Sequence, residues 1–278
     1  LAKIAFWGPI HGVGTTFNSI AVASAFGTQT SLKTLITHTE WAHSTLERAF
    51  SRNVLGMKKN VGHDTDIGMD ALIRLAKSGK LQGNMIKDYT HPIVFNRLDL
   101  LYGTVKRNET EDVHGMLHIL DHADVSYDCT IVDVNSAYMN NMTRSVLQGC
   151  DLIVISLNQN TALLDRFFME REWNEVLASK PYLLVLGQYD KHIHHTYANI
   201  ARKYKHKEGF LTIPRCHAWM NAYNESAVID FFMRHRHVHK RNENYFFFKE
   251  VRKLLEHICE VAGVNIKMDV GQSVGGTA

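Results

Sequence analysis

The chain has 278 residues, of which 45% are apolar and 21% charged, the composition of a globular protein with a substantial core. At about 150 residues per domain, that length fits one large domain or two small ones. Lys and Arg total 31 against 28 Asp and Glu, a net charge of +3 that does not demand nucleic acid as a partner, and 4 Pro with 18 Gly exclude a low-complexity or collagen-like chain.

Lys3–Trp7 reads as a short β-strand, and the breaker-rich run Gly8-Pro9-Ile10-His11-Gly12-Val13-Gly14 after it as a loop. A helix is predicted from Thr15 or Thr16 to Phe26, with Ile20, Ala23 and Ala25 among its apolar positions and Gly27 closing it. Leu32–Thr37 is a second strand. The opening therefore forms a βαβ unit, which implies a parallel sheet and a right-handed crossover. Asp66–Lys77 follows as a helix with Ile67, Ala71, Leu72 and Leu75 on one face, then Glu111–His122 with Val113, Leu117 and Leu120 apolar. Thr130–Val134, Leu152–Leu157 and Tyr182–Leu186 read as buried strands, and Leu211–Ile213, ended by Pro214, as a shorter one. Helices Ala162–Leu177 and Tyr197–Lys203 fit between them, and a long helix, Tyr245–Val261, closes the fold. Strands apolar on both faces, alternating with helices, predict an α/β protein with a mostly parallel central sheet flanked by helices on both faces. There is no internal repeat and no linker. One domain over residues 1–265 is expected, with a disordered tail at 266–278, where Gly271 to Ala278 has turn composition.

The 17 histidines are the unusual count: near pH 6.5 about half carry charge, adding roughly +8. Cys129, Cys150, Cys216 and Cys259 form no CxxC pair, so neither a zinc ribbon nor a redox motif is suggested, and buried thiols in a reducing compartment are expected. No apolar run approaches about 18 residues, and no basic stretch precedes a long apolar one at the start, so we expect no transmembrane segment, no leader and a cytoplasmic location.

In an open α/β sheet, ligands bind beyond the carboxyl ends of the strands. There the segment His11-Gly12-Val13-Gly14-Thr15-Thr16 joins the first strand to the first helix. Glycines let backbone N–H groups close around phosphate oxygens, and a helix N-terminus adds positive potential. The hydroxyl of Thr16 stands where a phosphate-binding loop uses Ser or Thr to hold magnesium. The alternative is a tight βα turn without a ligand.

This loop is followed by Tyr127-Asp128-Cys129-Thr130-Ile131-Val132-Asp133, an apolar strand ending in Asp, then by Cys150-Asp151-Leu152-Ile153-Val154-Ile155 and Ile213-Pro214. In type and order these segments resemble the ParA/MinD group of deviant P-loop ATPases, over residues 3 to 260. The family loop reads Lys-Gly-Gly-x-Gly-Lys-Thr-Thr. Aligned on Gly12-Val13-Gly14, its lysines fall on Ile10 and Thr15, one glycine on His11, and its magnesium-binding Thr on Thr16. Its Asp-x-Asp after the second strand falls on His38-Thr39-Glu40, and its base-contacting Asn-Arg on Gly187-Gln188.

The resemblance implies ATP or ADP with Mg2+ as cofactors, bound by His11, Gly12, Val13, Gly14, Thr15, Thr16 and Pro214. It assigns Mg2+ to Thr16 and, through water, to Asp133. Glu40 and Asp133 become the catalytic carboxylates, Glu40 orienting a water. Losing both lysines removes much of the transition-state charge stabilisation, so nucleotide binding with weak or absent hydrolysis is expected. His11 is a candidate replacement cation when protonated. The resemblance also implies a nucleotide-dependent homodimer. Within the group, the lysine-free loop is similar to that of ParA-like proteins accompanying Flp-type (Tad) pilus and secretion ATPases in Gram-positive bacteria. That implies positioning or regulating a pilus or secretion assembly, with an assembly ATPase or polar scaffold as partner and a place peripheral to a membrane machine. Without the resemblance, Asp133 is a strand-end carboxylate capping the next segment, Glu40 a solvated loop acid and His11 a polar loop residue.

Arg234-His235-Arg236-His237-Val238-His239-Lys240-Arg241 is a basic run without an acid. A solvated basic loop is expected there. The run also offers phosphate contacts to DNA or an acidic partner. His235, His237 and His239 at period two suggest a metal site, against which the flanking Arg and Lys argue. Tyr245-Phe246-Phe247-Phe248 reads as a helix start burying Phe rather than a base-stacking platform. His192, His194 and His195 fall in a polar loop on the ligand side of the sheet. Three functions follow: a ParA/MinD-like nucleotide switch, a partition-type ATPase holding DNA through 234–241, and a nucleotide-free protein-binding module on the same fold.

Overall fold

A strand that is apolar on both faces needs cover on both. Strand β1 (Ala2–Trp7) shows this directly: Ile4 and Phe6 enter one layer of the core and Ala5 and Trp7 the other. The computed structural model describes residues 1–40, 44–53, 67–104, 112–137, 139–169 and 174–266. The other strands are β2 (Thr34–His38), β3 (His91–Val94), β4 (Leu98–Leu100), β5 (Cys129–Asp133), β6 (Leu152–Leu157), β7 (Tyr182–Tyr189) and β8 (Leu211–Pro214). They form one sheet in the order β3-β4-β2-β5-β1-β6-β7-β8, parallel throughout except for the β3–β4 hairpin at one edge. The register sets Phe6, His38 and Asp133 side by side at the carboxyl end, Asp133 between the other two.

On one face lie α1 (Thr15–Gln29), α2 (Leu46–Phe50), α9 (His217–Asn224), α10 (Val228–Arg234) and α11 (Tyr245–Val261). On the other lie α3 (Met69–Lys77), a 3-10 helix (Gly83–Tyr89), α4 (Asp112–Ala123), α5 (Asn141–Gly149), α6 (Thr161–Met169), α7 (Asn174–Leu177) and α8 (Tyr197–Lys203). The predicted α/β fold with both faces of the sheet covered is the observed one.

Several expectations change in detail. Gly27 does not close α1, which runs on to Gln29; it is needed inside the helix because a Cβ there would lie 2.8 Å from the Cβ of Leu98. The helix predicted over Ala162–Leu177 is described as α6 and α7, and residues 170–173 lie outside the description. The β3–β4 hairpin, the 3-10 helix, α2, α5, α9 and α10 have no counterpart in the sequence reading, being short elements whose apolar residues show no full helical or strand period. The tail expected at 266–278 falls, from residue 267 onward, outside the described residues. All four cysteines are free and buried, and burial pushes the thiols up, to about 12 for Cys150 and Cys259. Among the described residues no helix is long and apolar enough to cross a membrane.

Candidate functional site

The loop between β1 and α1 bends through two left-handed glycines, Gly12 at φ 82° and Gly14 at φ 89°. Gly14 leads into α1, which has no side-chain cap and no acid in its first turn. Its first-turn N–H groups and positive end are thus left for an external anion. Two further glycines let the chain crowd together here. A Cβ on Gly8 would sit 2.6 Å from Val13 Cγ2 and 2.7 Å from Thr15 Oγ1, and one on Gly187 would sit 2.6 Å from the Val13 carbonyl oxygen. Val13 itself is buried beneath the loop, where it packs in the core rather than facing the cavity.

Above the loop opens a cavity of about 310 Å³. His11, Gly12, Gly14, Thr15 and Thr16 line one end, with Ser136 and Gln188 beside them. Phe17, Trp219, Met220 and Tyr223 wall the other, under the turn Ile213-Pro214-Arg215-Cys216. The volume lies in the range of about 300–1,000 Å³ that takes a cofactor-sized ligand. Two hydroxyls of α1 meet different partners. Thr15 pairs with Ser136, Oγ to Oγ at 3.1 Å, both buried. Thr16 stands near Asp133, where its hydroxyl favours the charged form of that carboxyl. Burial raises the Asp133 carboxyl to about 6; the Thr16 hydroxyl and His38 oppose that rise, and Glu40 adds to it. Glu40 therefore lies within electrostatic reach of Asp133. Asn18, fully buried, donates to Ser156 Oγ at 3.0 Å and pins the start of α1 to β6.

His38, beside Asp133 in the register, makes a different contact. Its Nε2 donates to Glu47 Oε1 at 3.0 Å, the same oxygen that accepts the Gly103 N–H at 3.0 Å. The ring packs so closely on Gly103 that a Cβ there would collide with it. His38 thus ties α2 to the sheet. From α2, the Thr45 hydroxyl meets the Tyr223 hydroxyl at the cavity wall.

The aromatic end was absent from the sequence reading. Trp219 is buried with its ring centroid 5.5 Å from those of Phe17, Phe232 and Phe247. Phe17 in turn lies 4.6 Å from Tyr223. A signal existed in the spacing of Trp219 and Tyr223, four apart and so on one helix face, but nothing local ties that face to the glycine loop two hundred residues earlier in the chain.

The basic run is largely exposed, as expected, with Arg234, His237, His239, Lys240 and Arg241 at the surface; His235 is the exception. Arg234 ends α10, and His235 lies within 5.1 Å of Phe248, ring on ring, inside the aromatic core's edge. Its Nδ1 donates to the Phe231 carbonyl at 2.9 Å, and its Nε2 meets Asn244 Nδ2 at 3.4 Å. Asn244 Oδ1 accepts from Cys216 Sγ at 3.3 Å, which brings this chain of bonds to the cavity wall. The three alternate histidines therefore do not share an extended face. Among the described residues no three metal-ligating side chains gather to hold an ion. Phe247 and Phe248 are buried at the start of α11, as expected. The loop carrying His192, His194 and His195 is exposed.

No family model and no curated protein matches the chain. Solved structures do. The fold they define is that of the ParA/MinD-type P-loop nucleotide-binding proteins. A ParA family ATPase from Chlorobium tepidum TLS superposes with a TM-score of 0.69 at 14% identity, covering 92% of this chain and 99% of that one. The septum site-determining protein MinD of Pyrococcus horikoshii OT3, complexed with Mg-ADP, gives 0.68 at 15% identity, covering 95% and 98%. A plasmid partition protein of Borrelia burgdorferi B31 bound to AMPPNP gives 0.67 at 16%, covering 93% and 98%.

Proposed function

We propose that the chain binds an adenine nucleotide, ATP or ADP, with Mg2+ in the cavity above the glycine loop, and that it works as a nucleotide-dependent switch with weak or absent hydrolysis. The observation that carries this reading is the cavity itself, which joins an open helix N-terminus and the Thr16 hydroxyl to a wall that includes Phe17, Trp219 and Tyr223. Solved relatives in fold that hold AMPPNP and Mg-ADP support it. In this reading the backbone of His11, Gly12, Val13, Gly14, Thr15 and Thr16 cradles the phosphates, and Pro214 with the aromatic wall takes the base. Thr16 and Asp133 hold the metal, whose chemistry is to neutralise charge on the phosphates. Glu40 orients a water. The hydroxyl of Thr15, turned to Ser136, stands where the resemblance puts a lysine, so the loop has no permanent cation to favour a transition state over the bound nucleotide.

The switch acts through nucleotide-dependent homodimerisation, and its role is to position or regulate a pilus or secretion assembly, meeting an assembly ATPase or polar scaffold at the periphery of a membrane machine. Exposure of Arg234, His237, His239, Lys240 and Arg241 favours a second reading, DNA retention by that surface. Calorimetry with ATP and ADP, with and without Mg2+, tests the first. Heat is expected, together with stabilisation of about 2.7 kcal/mol at a hundredfold excess over Kd. No heat and an unchanged melting temperature leave a nucleotide-free binding module. DNA retention, if it occurs, falls steeply with salt, and neutralising Arg234, Arg236, Lys240 and Arg241 abolishes it.

A further inference from the structure

Histidines also gather away from the cavity. His114, His118 and His122 recur every fourth residue along α4 and so lie on one side of that helix. His118 and His122 are in contact: their ring centroids are 4.2 Å apart and their planes cross at 84°. Two imidazoles on one transition-metal ion, each nitrogen about 2.0–2.1 Å from it, put their centroids roughly 4.5–5 Å apart. The pair is therefore a small side-chain rotation from that geometry, and His118 is exposed, with room to make it. His122 is already held as a ligand would be. Its Nδ1 donates to the His118 carbonyl at 2.9 Å, so in the neutral ring Nε2 keeps its lone pair for a metal. The surrounding charge suits a cation as well. His122 sits in the last turn of α4, the negative end of the helix dipole. Asp121 and Asp124 flank it in the chain and share one cation, the Lys3 ammonium, at 2.6 and 3.6 Å. The run at 234–241, by contrast, surrounds its histidines with Arg and Lys. Because α4 ends where β5 begins, and Lys3 lies at the start of β1, this pair stands at the amino end of the sheet, opposite the cavity.

We propose that His118 and His122 form a binding site for a divalent first-row transition ion, of the kind that imidazole favours: Zn2+, Ni2+ or Cu2+. Two protein nitrogens leave the other positions of the ion to water, so this is an open surface site. It is separate from the Mg2+ of the nucleotide reading and does not depend on it; Mg2+ itself prefers oxygen ligands and is not taken here. A bound ion clips together the last two turns of α4 and stabilises the folded chain by its preference for that chain over the unfolded one.

The test is titration of Zn2+ and of Ni2+ into the full chain without nucleotide, followed by calorimetry and by melting temperature, for the wild type, His118→Ala, His122→Gln and His114→Ala. In the wild type the melting temperature is expected to rise by roughly 2–3 °C at about a tenfold excess of ion over Kd. His118→Ala and His122→Gln each weaken the site about tenfold or more, since each removes one of its two nitrogens. His114→Ala, outside the ring pair, leaves the affinity within about twofold. His118 is exposed, so its removal leaves the metal-free melting temperature unchanged and the loss is one of binding. A wild type that binds neither ion overturns the proposal. So does an isotherm that is the same in the wild type and His118→Ala, or a loss in His114→Ala as large as that in His118→Ala.

Discussion

At the loop end of the cavity the lining is backbone and small hydroxyls: Gly12, Gly14, Thr15, Thr16 and Ser136. At the other end it is side chain, with Phe17, Trp219 and Tyr223 shared between the cavity wall and the aromatic core behind it. The first end is shaped by where the chain can go without a Cβ, the second by how large rings pack. The difference teaches where each end is vulnerable. Truncating a wall residue removes core, so stability falls. Changing a hydroxyl at the loop end removes one polar contact and leaves the scaffold in place.

The largest effect is expected at the wall. Trp219→Ala should cost about 3–5 kcal/mol in chemical denaturation, because the ring is fully buried among other rings and the void cannot collapse. A cost below about 1 kcal/mol would mean that the wall is a surface feature and the contrast between the ends is wrong.

Asp133 sharpens the comparison from the loop end. Its buried carboxyl is raised from 3.8 to about 6, so the folded chain binds its proton more tightly than the unfolded chain does. The sign follows: this contribution to stability is fully present below about pH 4 and is lost as pH rises through about 6, roughly 3 kcal/mol in all. In metal-free, nucleotide-free buffer, unfolding free energy should therefore decline over that window in the wild type and stay flatter in Asp133→Asn. Identical profiles for the two would remove Asp133 from the buried site described.

The smallest effect is Thr15→Val, which keeps the shape and deletes the bond to Ser136. About 1 kcal/mol is expected. A loss as large as that at Trp219 would show that the loop end, too, depends on side-chain packing.

Much of the scaffold was legible. Lys3–Trp7, Leu152–Leu157 and Tyr245–Val261 needed only their apolar patterning, since long or fully buried elements carry strong periodic signals. The loop at 11–16 was legible because its glycines and hydroxyls are consecutive and sit between a strand and a helix. The β3–β4 hairpin was not: Leu98–Leu100 is too short to show a period, and its partner contains Pro92. The basic run was half legible. Its charge pattern was plain, but the stacking of His235 on Phe248 depends on α10 and α11 meeting, which no local pattern states.

The sequence by itself determined much of the order of strands and helices, the place of the glycine loop and the residues at positions 10 and 15, Ile and Thr. Those are properties of neighbours along the chain, where period, turn chemistry and residue type act over a few positions. Only the tertiary structure decided that Thr15 turns to Ser136, that Trp219 and Tyr223 wall the cavity, and that Thr45 before α2 bonds to Tyr223. Each of those joins residues far apart in the chain, brought together by the order of strands in the sheet and by the packing of α2 and α9 against the layer that holds α1.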